Sequence, residues 1–392
     1  MKSFYLLTLA AAVALAACSN DDSTPDPNPS PADTGLVIEQ TEYTLDALDN
    51  RSATLTFSAS ADWTLTVTGE DADWLTVTPA IGTAGSKSVT LTAAPRITEE
   101  SRTAYVDIAC GAQTVQITVT QTGASADADF TSLFDPVFAD FLEQEDIISD
   151  VGKITRQDME TIASVTELEI GSGHSSSECL TDLRGIEFFK SLKHLGFQET
   201  AWTSLDVSGC STLTLLYCLR TEFTKLNVSG CTALRTLDCE GDRLTSLDAG
   251  GCTALEILSC KKSRLTSLNI SGCTALKELN CRDNQLATLD LGQCPELQKL
   301  DCCDNGMTSL DISHCTALQE LHCFDNLLTG LDISKNRALN YLRCERNPGN
   351  GLSTFPITAW FDNETRPESL SINYLSWVYN NRDTTIDFRK AE

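Results

Sequence analysis

Basic side chains are scarce in this chain. Its 28 Lys and Arg residues stand against 55 Asp and Glu, a formal net charge of −27 over 392 residues. So acidic a surface excludes nucleic-acid binding and an electrostatic hold on anionic membranes, since both need clustered cations. Histidine is rarer still, with His174, His194, His314 and His322 the full set. Beyond the first residues, no apolar run is long enough to cross a bilayer. What is present is ordinary for folded protein: 41% hydrophobic and 21% charged residues, with room for two or three domains.

Residues 1–17 read as a processing signal. Lys2 gives a short positive start, and Tyr5 to Ala17 give an apolar stretch too short to span a membrane. The stretch ends in Leu15-Ala16-Ala17-Cys18, which resembles the lipobox of bacterial lipoproteins. That resemblance implies cleavage before Cys18 and acylation of Cys18, hence a membrane anchor. Several acyl chains on one residue hold firmly where a single one does not. The following Ser19-Asn20-Asp21-Asp22 resembles the signal that sends lipoproteins of Bacteroidota-type bacteria to the outer cell surface. The expected localisation is therefore the outer membrane, facing outward, with a periplasm-facing anchor as the alternative. Residues 18–35, rich in Pro, Asp and Ser, are expected to be an extended tether.

Residues 36–123 change to short alternating runs rich in Thr and Val: Ala53–Ser58, Trp63–Thr68, Trp74–Thr78, Ser88–Thr92, Ala104–Ala109 and Gln113–Gln121. Period-two alternation broken by turn residues predicts antiparallel strands at the spacing of a β-sandwich. The residues Asp62-Trp63, Trp74 to Pro79, Gly82 and Ile117 to Gly123 resemble a BACON domain. The resemblance implies an immunoglobulin-like sandwich, with carbohydrate or mucin binding in some members and a spacer role in others. Trp63 and Trp74 lie within alternating strands and read as core rather than as sugar platforms.

Residues 130–164 are expected to form a helical cap. Phe130, Phe134, Phe138, Phe141 and Leu142 recur at helical steps, Asp135 precedes Pro136 as an N-cap, and Thr155 to Asp158 resembles a capping box. Calcium binding between Ile147 and Asp158 is rejected, because apolar Ile147 would stand at the first ligand position.

From Cys210 onward the chain repeats every 21 residues. One cysteine column runs Cys210, Cys231, Cys252, Cys273, Cys294, Cys315; a second runs Cys218, Cys239, Cys260, Cys281, Cys302, Cys323, Cys344. A fixed period of this length predicts a solenoid whose turns bury their apolar faces only by stacking. Leu276-Lys277-Glu278-Leu279-Asn280-Cys281-Arg282-Asp283-Asn284-Gln285-Leu286 resembles the leucine-rich-repeat pattern, with Cys281 in place of a leucine. The solenoid is placed at 165–352 and a C-terminal cap at 353–392, where Trp360, Phe361, Tyr374, Trp377 and Tyr379 are available to cover the last turn. The overall class is thus mainly β: sandwich, helical cap, then parallel-stranded solenoid.

Both cysteine columns read as buried packing. A straight ladder offers zinc no four converging ligands, and in-register parallel strands are poor disulfide geometry. Another column (Asp206, Asn227, Asp248, Asn269, Asp290, Asp311, Asp332) reads as turn hydrogen bonding rather than a calcium ladder. No metal or cofactor is expected.

A shallow solenoid favours binding over catalysis, through the outward strand residues on either side of each core leucine. Two clusters there are the candidate ligand-binding positions: a basic island at Lys261 and Arg282, and an aromatic group at His322, Phe324, Tyr341 and Arg343, with Tyr217 and Leu219 in the first turn. The expected function is non-catalytic recognition of a glycoconjugate or a protein, with a partner-docking scaffold as the alternative. A Cys303–His322 pair beside Asp301 is a remote hydrolase alternative that lacks an evident oxyanion donor. The oligomeric state is left open.

Overall fold

The computed structural model describes residues 35–171, 182–198, 202–219, 221–241, 243–351, 353–380 and 382–392. The leader, Cys18, all but the last tether residue and His174 lie outside them. The chain divides into two compact units, one through Gly123 and one from Ala124 to Glu392, with Ile97–Glu99 grouped with the second.

The first unit holds nine strands: β1 (Leu36–Ile38), β2 (Glu42–Leu45), β3 (Ser52–Ala59), β4 (Trp63–Thr68), β5 (Leu75–Thr78), β6 (Ile81–Gly82), β7 (Gly85–Ala93), β8 (Arg102–Cys110) and β9 (Gln113–Gln121). They form two sheets, β1-β3-β7-β5 and β2-β9-β8-β4-β6. Alternation puts Leu55, Phe57, Val89 and Leu91 of one sheet and Val106, Ile108, Ile117 and Val119 of the other into a single core. Each such side chain contributes about 1.5–3 kcal/mol by leaving water. One pair departs from the antiparallel expectation. The N-terminal strand leaves the first sheet after β1 and joins the second as β2, so β2 runs parallel to β9.

Both tryptophans are core residues. Trp63 meets Phe57 edge-on at 5.0 Å, and its indole N–H donates to the Thr83 carbonyl at 3.0 Å. Trp74 lies under the Arg102 guanidinium at 4.5 Å. Gly82 passes so close to the Trp63 indole that a methyl group there would overlap the ring. Gly82→Ala should therefore lower stability by about 1–3 kcal/mol, the usual penalty for overpacking. An unchanged melting midpoint would contradict that close approach.

The second unit begins with α1 (Pro136–Gln144) and α2 (Arg156–Ser164). Asp135 Oδ1 accepts from the N–H groups of Val137 and Phe138, and Pro136 opens α1 where a missing donor costs nothing. Thr155 and Asp158 cap α2 reciprocally. Asp158 also accepts from Ser149, so the segment rejected as a calcium loop spends its carboxylate internally. Phe130, Phe134, Phe138 and Phe141 are buried.

A ten-stranded parallel sheet follows, from Glu167–Gly171 to Ser371–Ile372. Its register is unbroken: Leu216, Leu237, Leu258, Leu279, Leu300, Leu321 and Leu342 face one another strand to strand. The last rung comes from the C-terminal cap rather than from a repeat. The cap also places Thr354–Ala359 between Leu331–Asp332 and Arg382–Lys390. Of its aromatic residues, Phe361 is buried and Trp377 donates to the Asn347 carbonyl, while Tyr374 is exposed.

Two internal ladders hold the turns at this spacing. All thirteen column cysteines are buried. In the first column five of the six thiols reach back 24 residues, among them Cys231 to the Val207 carbonyl at 3.2 Å, Cys252 to Val228 at 3.7 Å and Cys273 to Ala249 at 3.2 Å. A thiol is small enough to fill the space and still donates, weakly, to a carbonyl that leucine would leave with one partner fewer. One turn beyond Cys315, Asn336 occupies the column and makes the equivalent bond, from Nδ2 to the Ile312 carbonyl at 2.9 Å.

The second ladder is asparagine. Asn284, Asn305, Asn326 and Asn347 each donate to a carbonyl 24 residues earlier and accept an N–H 19 residues earlier. Ser263 stands in for asparagine in an earlier turn, its hydroxyl 3.4 Å from the Cys239 carbonyl. The residue before each of these positions is left-handed, as at Lys262, Asp283, Asp304, Asp325 and Arg346, with φ of 51–60°. There the strand ends and the chain swings into the ladder. The Asp/Asn column behaves as expected: Asp206, Asn227, Asp248, Asn269, Asp290, Asp311 and Asp332 each accept the N–H two residues on.

Candidate functional site

The outward residues of the main sheet form three rows, because alternate side chains of each strand share a face and neighbouring strands lie about 4.8 Å apart. The first row includes Leu215, Thr236, Ile257, Glu278, Lys299, Glu320 and Tyr341. The middle row includes Tyr217, Asp238, Ser259, Asn280, Asp301, His322 and Arg343. The third, where the strands end, holds Leu219, Glu240, Lys261, Arg282, Cys303, Phe324 and Glu345.

The expected basic island is neutralised. Lys261 and Lys262 both pair with Glu240, at 2.9 and 3.4 Å, and hold its carboxyl below the usual range against the opposing effect of its own burial. Arg282 pairs with Asp304 at 2.9 Å. Arg343 pairs with Glu345 at 2.5 Å.

Two expectations for the third row are corrected. Phe324 and Cys303 do not face solvent: they are 2% and 0% exposed. The Phe324 ring is a pedestal covered by three guanidinium groups, Arg343 at 4.2 Å, Arg282 at 5.1 Å and Arg346 at 5.5 Å. Phe324 therefore offers no face to a ligand. Cys303 fares no better as a nucleophile, since burial, with the Asp301 carboxylate adding to it, pushes its thiol far above the ordinary range. The thiolate that the hydrolase alternative needs is not formed near neutral pH.

The other candidates are half-buried. Tyr217 lies across Gly196, its hydroxyl bonded to the Glu169 carboxylate, and burial followed by that bond pushes its pKa up to about 12. Leu219 stands next to it at the strand end. His322 meets the Tyr341 ring at a tilt of 46°, centroids 5.3 Å apart. Its Nε2 lies 2.8 Å from Glu320 Oε1, yet at an angle that makes no hydrogen bond.

A cavity of about 330 Å³ opens on the first two rows, at the small end of the range for ligand sites. Ile257, Ser259, Glu278, Asn280, Lys299 and Asp301 line it, with Glu320 and His322 at one end. Of the sequence-derived candidates only His322 is part of this wall. The others were missed because none is individually unusual. Their signal was positional, a run of polar residues at the same two rows of successive turns.

A larger cavity, of about 1040 Å³, lies along the short strands Ser204–Asp206, Lys225–Asn227 and Ser246–Asp248. Among the described residues, no group of three His, Cys, Asp or Glu side chains is placed to hold a metal ion.

Residues 35–124 match the viral BACON domain model. That span is the nine-stranded sandwich, so the family match and the resemblance of its tryptophans and closing strand fall on the same unit. The second unit, one main strand per 21 residues with cysteine among the core leucines, is a leucine-rich-repeat solenoid.

Among solved structures, the functional domain of InlJ from Listeria monocytogenes, which includes a cysteine ladder, is 25% identical with a TM-score of 0.42. The match covers 68% of this chain and 62% of that one, so this chain spans about three fifths of the InlJ domain. The leucine-rich repeat domain of APL1B is 13% identical with a TM-score of 0.39, over 59% of this chain and 82% of that one. No curated protein matches.

The cysteine ladders carry a direct chemical test. Burial pushes the thiols of Cys231, Cys273, Cys281 and Cys315 up to about 12. Iodoacetamide at neutral pH should therefore leave all thirteen column cysteines unmodified in the native protein and alkylate them after denaturation, read by peptide mass spectrometry. Native alkylation within either column would show that the stacked core is open.

Proposed function

We propose that this protein is a non-catalytic recognition lipoprotein, anchored through Cys18 and displayed at the outer cell surface, that binds a glycoconjugate or a protein on the outward face of its leucine-rich-repeat sheet. The observation that carries the reading is the unbroken register of that sheet, which brings residues from successive turns into one wall with a cavity in it. An array of this kind positions many weak contacts at once but encloses little volume, which suits recognition better than chemistry.

The test has two parts. Fatty-acid labelling should be lost in Cys18→Ala. Binding of the full chain to a glycan array and to purified mucin should be lost when Thr236 and Ser259 are both replaced by arginine, which plants bulk on the wall. Binding that survives both substitutions would place recognition elsewhere.

A further inference from the structure

We infer that the ligand of the cavity between Ile257 and His322 is a neutral saccharide rather than an anion or a basic peptide. The inference rests on the recognition reading above and fixes the chemistry of what is recognised. It starts from how the middle row is held. Asn280 Oδ1 accepts the Arg282 N–H at 3.2 Å, and Asp301 Oδ1 accepts the Cys303 N–H at 3.2 Å. Each planar side chain is thereby locked by its own backbone. Asn280 is left with its NH2 group, and Asp301 with Oδ2, which sits 4.0 Å from His322 Nδ1. The Ser259 hydroxyl precedes them in the row.

The wall therefore offers acceptors (Asp301, Glu278, Glu320) interleaved with donors (Asn280, Lys299, the His322 ring), roughly one strand spacing apart, with Asn280 and Asp301 held in place. Charge decides against an anion. Three carboxylates line this space against one lysine, and that lysine is already 3.4 Å from Glu278. A sulfate or sialate would meet net negative potential on a chain of −27.

Donor count decides against a basic peptide side chain. An ammonium or guanidinium group only donates, so it would leave the half-buried Asn280 NH2 facing a further donor. Half-buried donors left unmatched cost affinity. Vicinal hydroxyls both donate and accept, so a sugar can satisfy each group in turn. Ile257, 40% exposed at the cavity edge, gives the C–H face of a sugar ring an apolar contact.

The experiment uses the full chain against immobilised neutral hexose and N-acetylhexosamine oligosaccharides, their sulfated and sialylated counterparts, and a Lys/Arg-rich peptide. Neutral oligosaccharides should bind, and Asp301→Asn and Asn280→Leu should each weaken binding about tenfold or more. Lys335→Glu, an exposed substitution outside the main sheet, should leave binding unchanged. Unaltered melting midpoints in the two cavity variants separate lost contacts from lost fold.

Binding only of the sulfated or sialylated forms, or only of the peptide, with loss on the Thr236 and Ser259 arginine substitutions, would overturn the neutral-saccharide inference and leave face recognition standing. Neutral-saccharide binding unaffected by any of these substitutions would overturn both. Failure of all three ligand classes to bind would overturn the neutral-saccharide inference.

Discussion

Asn326→Leu should be among the most damaging single substitutions in the chain, lowering stability by about 3–5 kcal/mol. Asn326 is 3% exposed, and its side chain closes four bonds. Nδ2 donates to the carbonyls of Cys302, Cys323 and Phe324 at 3.0 to 3.3 Å, and Oδ1 accepts the Met307 N–H at 3.1 Å. Leucine matches its size but makes none of these. At least one carbonyl and one N–H would lose a partner where water does not reach, at about 1–3 kcal/mol each. Leucine would also have to follow a left-handed Asp325 without the bonds that anchor that turn. Urea unfolding followed by circular dichroism gives the number. A loss under 1 kcal/mol would mean that the turn relaxes enough to find other partners.

Phe324→Ala should cost a similar amount, about 3–5 kcal/mol, through the lost ring and the cavity it leaves. The change would also take away the surface on which Arg282, Arg343 and Arg346 lie. Cys303, buried in the adjacent rung, should then become open to iodoacetamide while the column cysteines stay protected. That second readout separates loss of the pedestal from general unfolding. An unchanged midpoint with Cys303 still protected would sink the assignment.

These two residues also mark what was legible in the sequence. The 21-residue spacing identified the solenoid, the cysteine columns and the Asx turns, because each follows from periodicity and from which side chains form local bonds. The caps at Asp135 and Thr155 were readable for the same local reason. Phe324 was not. Its position in the repeat is outward, and only the convergence of three arginines from two other turns shows that it is covered. The pairing of Lys261 with Glu240 was hidden in the same way, since charges 21 residues apart become neighbours only once the rotamers are known. The candidate site suffered most, as the cavity lies among residues that are commonplace one by one. Nothing in the repeat announced that the last rung of the sheet would come from Ser371 and Ile372.

The backward-reaching bonds have a consequence for how such a chain changes over generations. The first-column thiols and the carboxamides along the spine find their partners in the preceding coil, the second-column thiols of Cys239 and Cys302 find theirs in the following one, and each kind of partner is chemically the same from one coil to the next. Deleting or duplicating one 21-residue unit therefore rejoins matching edges. The number of coils is adjustable by recombination in frame with the unit, and a longer or shorter recognition wall can arise without inventing a new contact.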